Sequence, residues 1–108
     1  MQKRFTYVWE FIILPELEAE FLKHYGPEGS WVKLFKQDSA YLETILLSDS
    51  STQSRYITID RWKTEQAYKA FLVKYANEYK ALDKLCEGLI KEENFLGSFW
   101  EVDLIITD

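Results

Sequence analysis

In the first hydrophobic segment of the chain, residues 5–13, two kinds of side chain alternate with a period of two residues. One set of alternate positions is almost wholly aromatic, and the other is mostly aliphatic with one carboxylate: Phe5, Tyr7, Trp9 and Phe11 against Val8, Glu10 and Ile12. Successive side chains of a strand point to opposite faces, so the pattern predicts a strand that needs cover on both faces. An ordinary exposed antiparallel strand would be polar on one face.

The rest of the pattern predicts helices after this strand, then two strands, a long helix and a last strand. Pro15 suits the first turn of a helix, Gly26-Pro27 ends it, and Thr64 is a suitable N-cap for the long helix. The predicted strands are about 5–14, 40–47, 55–62 and 98–106; short helices follow Pro15 and Gly29, and the long helix breaks near Ala76-Asn77 and ends by Lys91. This order predicts an α+β, ferredoxin-like split βαβ sandwich, an antiparallel four-stranded sheet with helices on one face.

The other three predicted strands are also apolar on both faces. Leu46 and Ile45, for example, fall on opposite faces of the second strand, and Ile57 and Tyr56 do so in the third. Helices on one side of the sheet would leave the other apolar face exposed. A second copy of the chain would cover it, so we expect a homodimer joined through its sheet faces.

Length and composition narrow the classes of protein. The chain has 108 residues, which suits a single domain over residues 1–108, and 47% of them are hydrophobic and 17% aromatic. The net charge of −5, without a Lys or Arg cluster, argues against nucleic acid and membrane surfaces as partners. A single cysteine, Cys86, excludes an internal disulfide and favours a cytoplasmic location, and one His with one Cys offers no metal-binding spacing.

Several segments are typical of a known family. They are Tyr7-Val-Trp-Glu-Phe11, His24-Tyr-Gly26, Gly29-Ser-Trp31 and, most specifically, Asp60-Arg-Trp62 followed by Thr64 and Tyr68. Over nearly its whole length the chain resembles the antibiotic biosynthesis monooxygenase (ABM) family of the dimeric α+β barrel superfamily. The resemblance implies the fold and the dimer. That superfamily includes cofactor-free monooxygenases, haem-degrading enzymes, isomerases and uncharacterised members.

The resemblance also implies that Trp62 faces the helices, which would place Asp60 and the aromatic stripe of the first strand on the same side. The predicted pocket has two walls that consist almost wholly of aromatic residues: Tyr7, Trp9, Phe11, Tyr56 and Trp62 below, with Phe21, His24, Tyr25, Phe71 and Tyr75 above. Such a pocket suits a flat polycyclic or aromatic ligand. The alternative is that these rings fill a closed core.

Two residues are candidate catalytic bases. His24 is the only histidine and titrates near neutral pH, although a His at a helix end is also favoured by the helix dipole. Asp60, among Tyr and Trp side chains, would have a raised pKa, although it could instead only hydrogen-bond to Tyr hydroxyls or a helix N-terminus. On the opposite face we expect Glu10 and Arg61 to form an ion pair near the dimer interface.

Three functional hypotheses follow. The first is an enzyme that oxidises a small aromatic or quinol-like substrate without a cofactor, because the deprotonated substrate itself reacts with oxygen. The second, haem degradation, is disfavoured: the resembling subgroup uses an Asn on the first strand and a His on a later helix, whereas this chain has Trp9 there and no His after His24. The third is a non-catalytic dimeric module that binds a small apolar ligand or stabilises a partner.

Overall fold

The computed structural model describes residues 3–102, which form a four-stranded antiparallel sheet and four α-helices. The elements are β1 (Phe5–Ile13), α1 (Glu18–Tyr25), α2 (Ser30–Phe35), β2 (Tyr41–Ser48), β3 (Arg55–Trp62), α3 (Glu65–Lys74), α4 (Ala76–Cys86) and β4 (Ile90–Trp100). The strand order across the sheet is β2-β3-β1-β4. This arrangement confirms the predicted ferredoxin-like α+β fold.

The helix boundaries follow the local signals of the sequence. Pro15 begins a 3₁₀ turn that leads into α1, and α1 ends at Gly26. Thr64 caps α3, because its Oγ1 accepts a hydrogen bond of 3.1 Å from the backbone N–H of Ala67. The predicted break of the long helix is confirmed, since Tyr75 separates α3 from α4. No helix within residues 3–102 is long and apolar enough to cross a membrane.

The position of the last strand differs from the prediction. β4 spans Ile90–Trp100, whereas the pattern placed a strand at about 98–106, of which 103–106 lie outside the described residues. The segment Lys91–Asn94 is charged and polar, and the predicted helix ended by Lys91, so residues 92–97 were assigned to no element. As an edge strand with mostly exposed side chains, β4 tolerates such residues, so its hydrophobic pattern is weak.

The helices cover the aromatic face of β1. Burial along β3 alternates strictly, and the buried set faces the helices: Tyr56, Thr58, Asp60 and Trp62. The register pairs this set with the aromatic stripe, Phe5 with Trp62 and Tyr7 with Asp60. The predicted assignment of these two strands to a helix-facing side is therefore confirmed.

The opposite face of the sheet is apolar and uncovered in the described part of the chain. Its aliphatic and aromatic side chains, given by strand parity and register, are Val8, Ile12, Ile45, Leu47, Ile57, Ile59 and Phe99. We call these residues the open face. Ile45 and Leu47 of β2 and Phe99 of β4 are 38%, 47% and 53% exposed, so large apolar side chains of both edge strands contribute to the exposed part of this face.

The predicted ion pair between Glu10 and Arg61 is wrong. Both lie on the open-face side of the sheet, but β1 and β3 run antiparallel and their register places Arg61 beside Thr6, four residues from Glu10. Glu10 instead accepts a 2.6 Å bond from Nε of Arg55. Arg61 makes a two-pronged contact with Glu101, with both N–O distances 2.8 Å.

Candidate functional site

A cavity of about 180 Å³ lies between the helix-facing side of the sheet and the helices. The sheet contributes Tyr7, Trp9, Phe11, Thr44, Thr58 and Asp60 to its walls. The helical layer contributes Tyr25, Trp31, Val32, Phe35, Tyr79 and Asp83, and Glu93 of β4 completes the lining. The cavity is smaller than the pockets that hold drug-sized ligands, so it suits a ligand of one or two rings.

Asp60 is the buried carboxyl of this cavity. Only 6% of the residue is exposed, and burial raises the pKa of the carboxyl to about 7, against the opposing effect of a hydrogen bond from Thr44. A carboxyl with this pKa is present in both protonation states near neutral pH. It can therefore accept a proton and return it, as general base catalysis requires.

A short chain of hydroxyl groups orients Asp60. Thr44 Oγ1 donates a 2.5 Å hydrogen bond to Oδ1 of Asp60 and lies 2.7 Å from the hydroxyl of Tyr41. The Thr44 hydroxyl has one proton, so Tyr41 is the donor in the second bond when Thr44 donates to Asp60. The two bonds fix one oxygen of the carboxyl group and leave Oδ2 for a ligand.

Two polar groups in the cavity walls have unused hydrogen-bonding capacity. The hydroxyl of Tyr7 and Nε1 of Trp31 are both buried and make no hydrogen bond of good geometry among residues 3–102, although Tyr68 lies beside Tyr7, and Tyr25 and Cys86 lie beside Trp31. Tyr7 lies directly opposite Asp60 in the β1–β3 register. Burial, and secondly the charge of Asp60, raises the pKa of Tyr7 well above its usual value, so its hydroxyl remains a donor. Buried polar groups without partners are rare and costly, and a bound ligand could satisfy them.

Two further carboxylates, Asp83 and Glu93, belong to the lining at the exposed side of the cavity. Asp83 lies on α4 one turn after Tyr79, and Glu93 lies on β4 opposite Phe11. Partial burial, and secondly the charge of Asp83, raises the pKa of Glu93. The lining residues that the structure describes thus include three acids and no Lys, Arg or His.

Some of the predicted pocket residues line the cavity, and the others are packed in the core. Tyr7, Trp9, Phe11, Tyr25 and Asp60 line the cavity, as expected. The other predicted Phe, Tyr and Trp residues are not in its walls: Phe21, Tyr56, Trp62, Phe71 and Tyr75.

These five rings lie between the sheet and the helices, as predicted, but they pack against neighbouring side chains instead of lining the cavity. Phe21, Trp62 and Phe71 are fully buried, and the ring centres of Trp62 and Phe71 are 5.0 Å apart. Tyr56 donates a 2.7 Å hydrogen bond to Glu18, and Tyr75 packs on Phe71 with ring centres 5.0 Å apart. For them the alternative reading, a closed aromatic core, is the one that the packing supports.

His24 lies outside the cavity lining. Its Nδ1 is 2.8 Å from the hydroxyl of Ser30 at the start of α2, a contact that ties the end of α1 to the next helix. The two candidate bases are therefore not brought together, and the geometry favours Asp60. Among residues 3–102 no group of three or more His, Cys, Asp or Glu side chains is arranged to hold a metal ion.

Sequence reasoning missed Asp83 and Glu93. Asp83 follows Tyr79 by four residues, a helical spacing that puts both on one face of α4, and this signal was available. Glu93 could not be placed, because it lay between the predicted end of the long helix at Lys91 and the predicted start of the last strand at about 98. The role of Thr44 was also hidden, since its contact with Asp60 depends on the register of β2 against β3.

Comparison with solved structures identifies the fold. SnoaB, a cofactor-independent oxygenase from Streptomyces nogalater, superposes with a TM-score of 0.69 and 17% sequence identity, over 95% of this chain and 97% of its own. A candidate antibiotic biosynthesis monooxygenase from Caulobacter crescentus gives 0.73 and 15% identity over 94% and 92% of the two chains. Another candidate, from Nitrosomonas europaea, gives 0.71 and 8% identity over 94% and 93%.

These similarities establish that the chain has the fold of the antibiotic biosynthesis monooxygenase structures, over almost its whole length. The resemblance stated from the sequence is confirmed at this level. No family model matches the sequence, and no curated protein matches it significantly. At such low identities the comparisons define the fold, and the chemistry has to be argued from the residues of the cavity.

Proposed function

We propose that this protein is a cofactor-independent oxygenase that acts on a small phenolic or quinol-like aromatic substrate, with Asp60 as the catalytic base. The observation that carries the proposal is a buried carboxyl with a pKa of about 7 in a cavity walled by aromatic rings. The fold shared with SnoaB, described as a cofactor-independent oxygenase, supports the same reaction class.

In the proposed reaction the substrate is the only reductant. A phenolic or enolic hydroxyl gives its proton to Asp60, and the resulting anion transfers an electron to O2. The reduced oxygen then bonds to a ring carbon that carries one hydrogen. One oxygen atom is retained when this carbon becomes C=O, and the other leaves as water with the hydrogen of that carbon and the proton that Asp60 had taken. The Tyr7 hydroxyl, opposite Asp60, supplies a hydrogen bond to the oxygen on which negative charge develops.

We also propose that the active form is a homodimer in which the open faces of two sheets pack together. The apolar residues of the open face are not covered by the described part of the chain, and the arginines on the same side of the sheet, Arg55 and Arg61, are already paired within the chain. Two copies could therefore meet without leaving a positive charge unpaired at the interface. Light scattering at micromolar concentration should give twice the mass of 12.9 kDa, and a stable monomer would contradict the dimer.

The catalytic proposal is tested by oxygen uptake with 1,4-dihydroxynaphthalene as the probe quinol, corrected for its spontaneous oxidation. Asp60→Asn keeps the shape of the side chain but has no useful basicity, so we expect the enzyme-dependent rate to fall at least about 100-fold. Glu28→Gln, an exposed acid in the turn between α1 and α2, is the matched control and should keep the rate. Wild-type activity in a folded Asp60→Asn protein would refute the assignment.

The His24→Ala variant separates the two bases that the sequence offered. His24 is outside the cavity, so we expect this variant to keep its activity. Loss of activity in His24→Ala together with activity in Asp60→Asn would transfer the role to His24. Because several predicted pocket rings are packed in the core, a ligand-binding module without catalysis is the second candidate; ligand binding without any enzyme-dependent oxygen uptake would favour it.

A further inference from the structure

The ionisable carboxyl groups in the described lining of the cavity have no positively charged side chain beside them in that lining. Asp60 lies deep in the cavity, and Asp83 and Glu93 lie at its exposed side. None of the ion pairs formed within residues 3–102 includes these three acids. The repulsion between Asp83 and Glu93, which contributes to the raised pKa of Glu93, therefore has no compensating positive group in the described lining.

The unpartnered wall groups independently indicate that the cavity is built for a ligand. Tyr7 is only 3% exposed, lines the cavity, and its hydroxyl makes no hydrogen bond of good geometry among residues 3–102, although Tyr68 lies beside it. A ligand hydroxyl at this position could accept a hydrogen bond from Tyr7 and donate one to Asp60. It would satisfy both buried groups at once, which an apolar ligand could not do.

The aromatic walls favour a positive charge on the ligand as well. Trp31, Tyr25 and Tyr79 contribute rings to the helical side of the cavity, on the same side as Asp83. The faces of Trp and Tyr rings attract cations, and neighbouring carboxylates add to this attraction. An anionic ligand would meet the opposite field and would have no positive side chain in the described lining to neutralise it.

From this arrangement we propose that the cavity binds an aromatic compound with a hydroxyl group at one end and a protonated amino group at the other. The hydroxyl lies between Asp60 and Tyr7, and the amino group lies between Asp83 and Glu93. The inference rests on the cavity assigned above as the substrate site, and it names the class of substrate: a hydroxylated aromatic amine rather than a neutral or acidic phenol.

Isothermal titration calorimetry with three probes of one size tests the charge preference. Tyramine is cationic, 4-ethylphenol is neutral, and 4-hydroxyphenylacetate is anionic, and all three carry the same hydroxyphenyl ring. We expect tyramine to bind at least about ten-fold more tightly than 4-ethylphenol, and 4-hydroxyphenylacetate to bind more weakly than both. Equal or tighter binding of the anion, or no binding of tyramine, would overturn the proposal.

Variants identify the groups responsible. Asp83→Asn combined with Glu93→Gln should abolish the preference for tyramine while 4-ethylphenol binding stays unchanged. Glu78→Gln combined with Glu87→Gln makes the same change of net charge at exposed positions near α4 outside the described lining, and should keep the preference. A preference that survives the first double variant, or is lost equally in the second, would show that net charge rather than this site is responsible.

The two proposals can fail separately. The titration measures binding and does not depend on oxygen chemistry, so a cation preference without enzyme-dependent oxygen uptake would retain the ligand class and reject the oxygenase. Oxygen uptake that depends on Asp60, together with ligand binding that shows no charge preference, would retain the oxygenase and reject the ligand class.

Discussion

Asp60 owes its properties to burial. It is on the helix-facing side of β3, between Thr58 and Trp62 along that side of the strand, and water does not solvate its carboxyl group. The alternation of the sequence was sufficient to predict this environment and the raised pKa that follows from it. The hydrogen bond from Thr44 was not predictable, since residues on different strands meet only when the register is known.

The raised pKa makes folding stability depend on pH. Because the pKa of Asp60 is about 7 in the folded protein and near 3.8 when exposed, the folded state binds more protons between these values. The contribution of Asp60 to the free energy of unfolding is thus largest in acid and is lost as the pH rises through about 7. From pH 5 to pH 8 we expect a loss on the order of 2 kcal/mol.

Urea unfolding of the wild type and Asp60→Asn at pH 5 and pH 8 measures this contribution. The variant lacks the titrating group, so its stability should change less over the same interval, and it should be the more stable of the two proteins at pH 8 if the amide keeps its bond to Thr44. The other titrating groups are common to both proteins and cancel in the comparison. An equal change in both proteins would show that Asp60 is not buried as described.

At the scale of elements, the accuracy of the sequence prediction followed the strength of the pattern. β1 and β3, with one buried face and strong alternation, were placed to within a residue or two, and the break between α3 and α4 was also found. β4 was misplaced because an edge strand with exposed side chains carries little of this signal. The misplacement of β4 also affected the prediction of the site, because Glu93 lies on β4 and was missed.

A β-bulge in β4 gives this edge strand its shape. Its register against β1 shifts between Val8 and Trp9, close to Gly97, which has a φ of +149°. Residues other than glycine rarely adopt this backbone conformation. A Cβ at Gly97 would also lie 2.9 Å from the ring of Phe99. Glycine is therefore required at this position by the backbone conformation, and an added Cβ would also displace the exposed ring of Phe99.

Gly97→Ala should destabilise the protein by about 1–3 kcal/mol, the usual cost of a strained backbone conformation. Gly88→Ala is the matched control, because a Cβ at Gly88 meets no atom within 4 Å and its φ is not in the unfavourable range. Denaturant midpoints of the two variants provide the measurement. Equal stability of both variants would contradict the conformation assigned to Gly97.

At the scale of the whole molecule, the sheet has one face covered by helices and one face open. Both halves of this description were predicted from strands that are apolar on both faces. The sequence could not show how charges are distributed around the open face, because the partners Glu10–Arg55 and Arg61–Glu101 depend on register and on the position of β4. The dimer itself remains a prediction.

Introduction of a charge on the β2 side of the open face should separate the proposed dimer. Ile45 lies opposite Ile59 in the β2–β3 register, and Ile45→Glu would bury a carboxylate against the partner's apolar face. We expect a monomer by light scattering and a thermal midpoint that no longer rises with protein concentration.

Leu22→Glu is the control for this experiment. Leu22 lies on α1, on the helical side of the molecule, and is 43% exposed, similar to the 38% of Ile45. The variant should keep the mass of the wild type. If both variants keep it, or both lose it, the open face is not the interface.

The two-sided character of β1 also restricts how this protein can change in evolution. Tyr7, Trp9 and Phe11 belong to the cavity, while Val8 and Ile12, between and beside them, belong to the open face. Insertion or deletion of one residue within β1 would exchange the two sets and destroy both surfaces in one event. We therefore expect homologues to vary the length of the loops around β1 freely, whereas the strand itself should evolve by substitution alone.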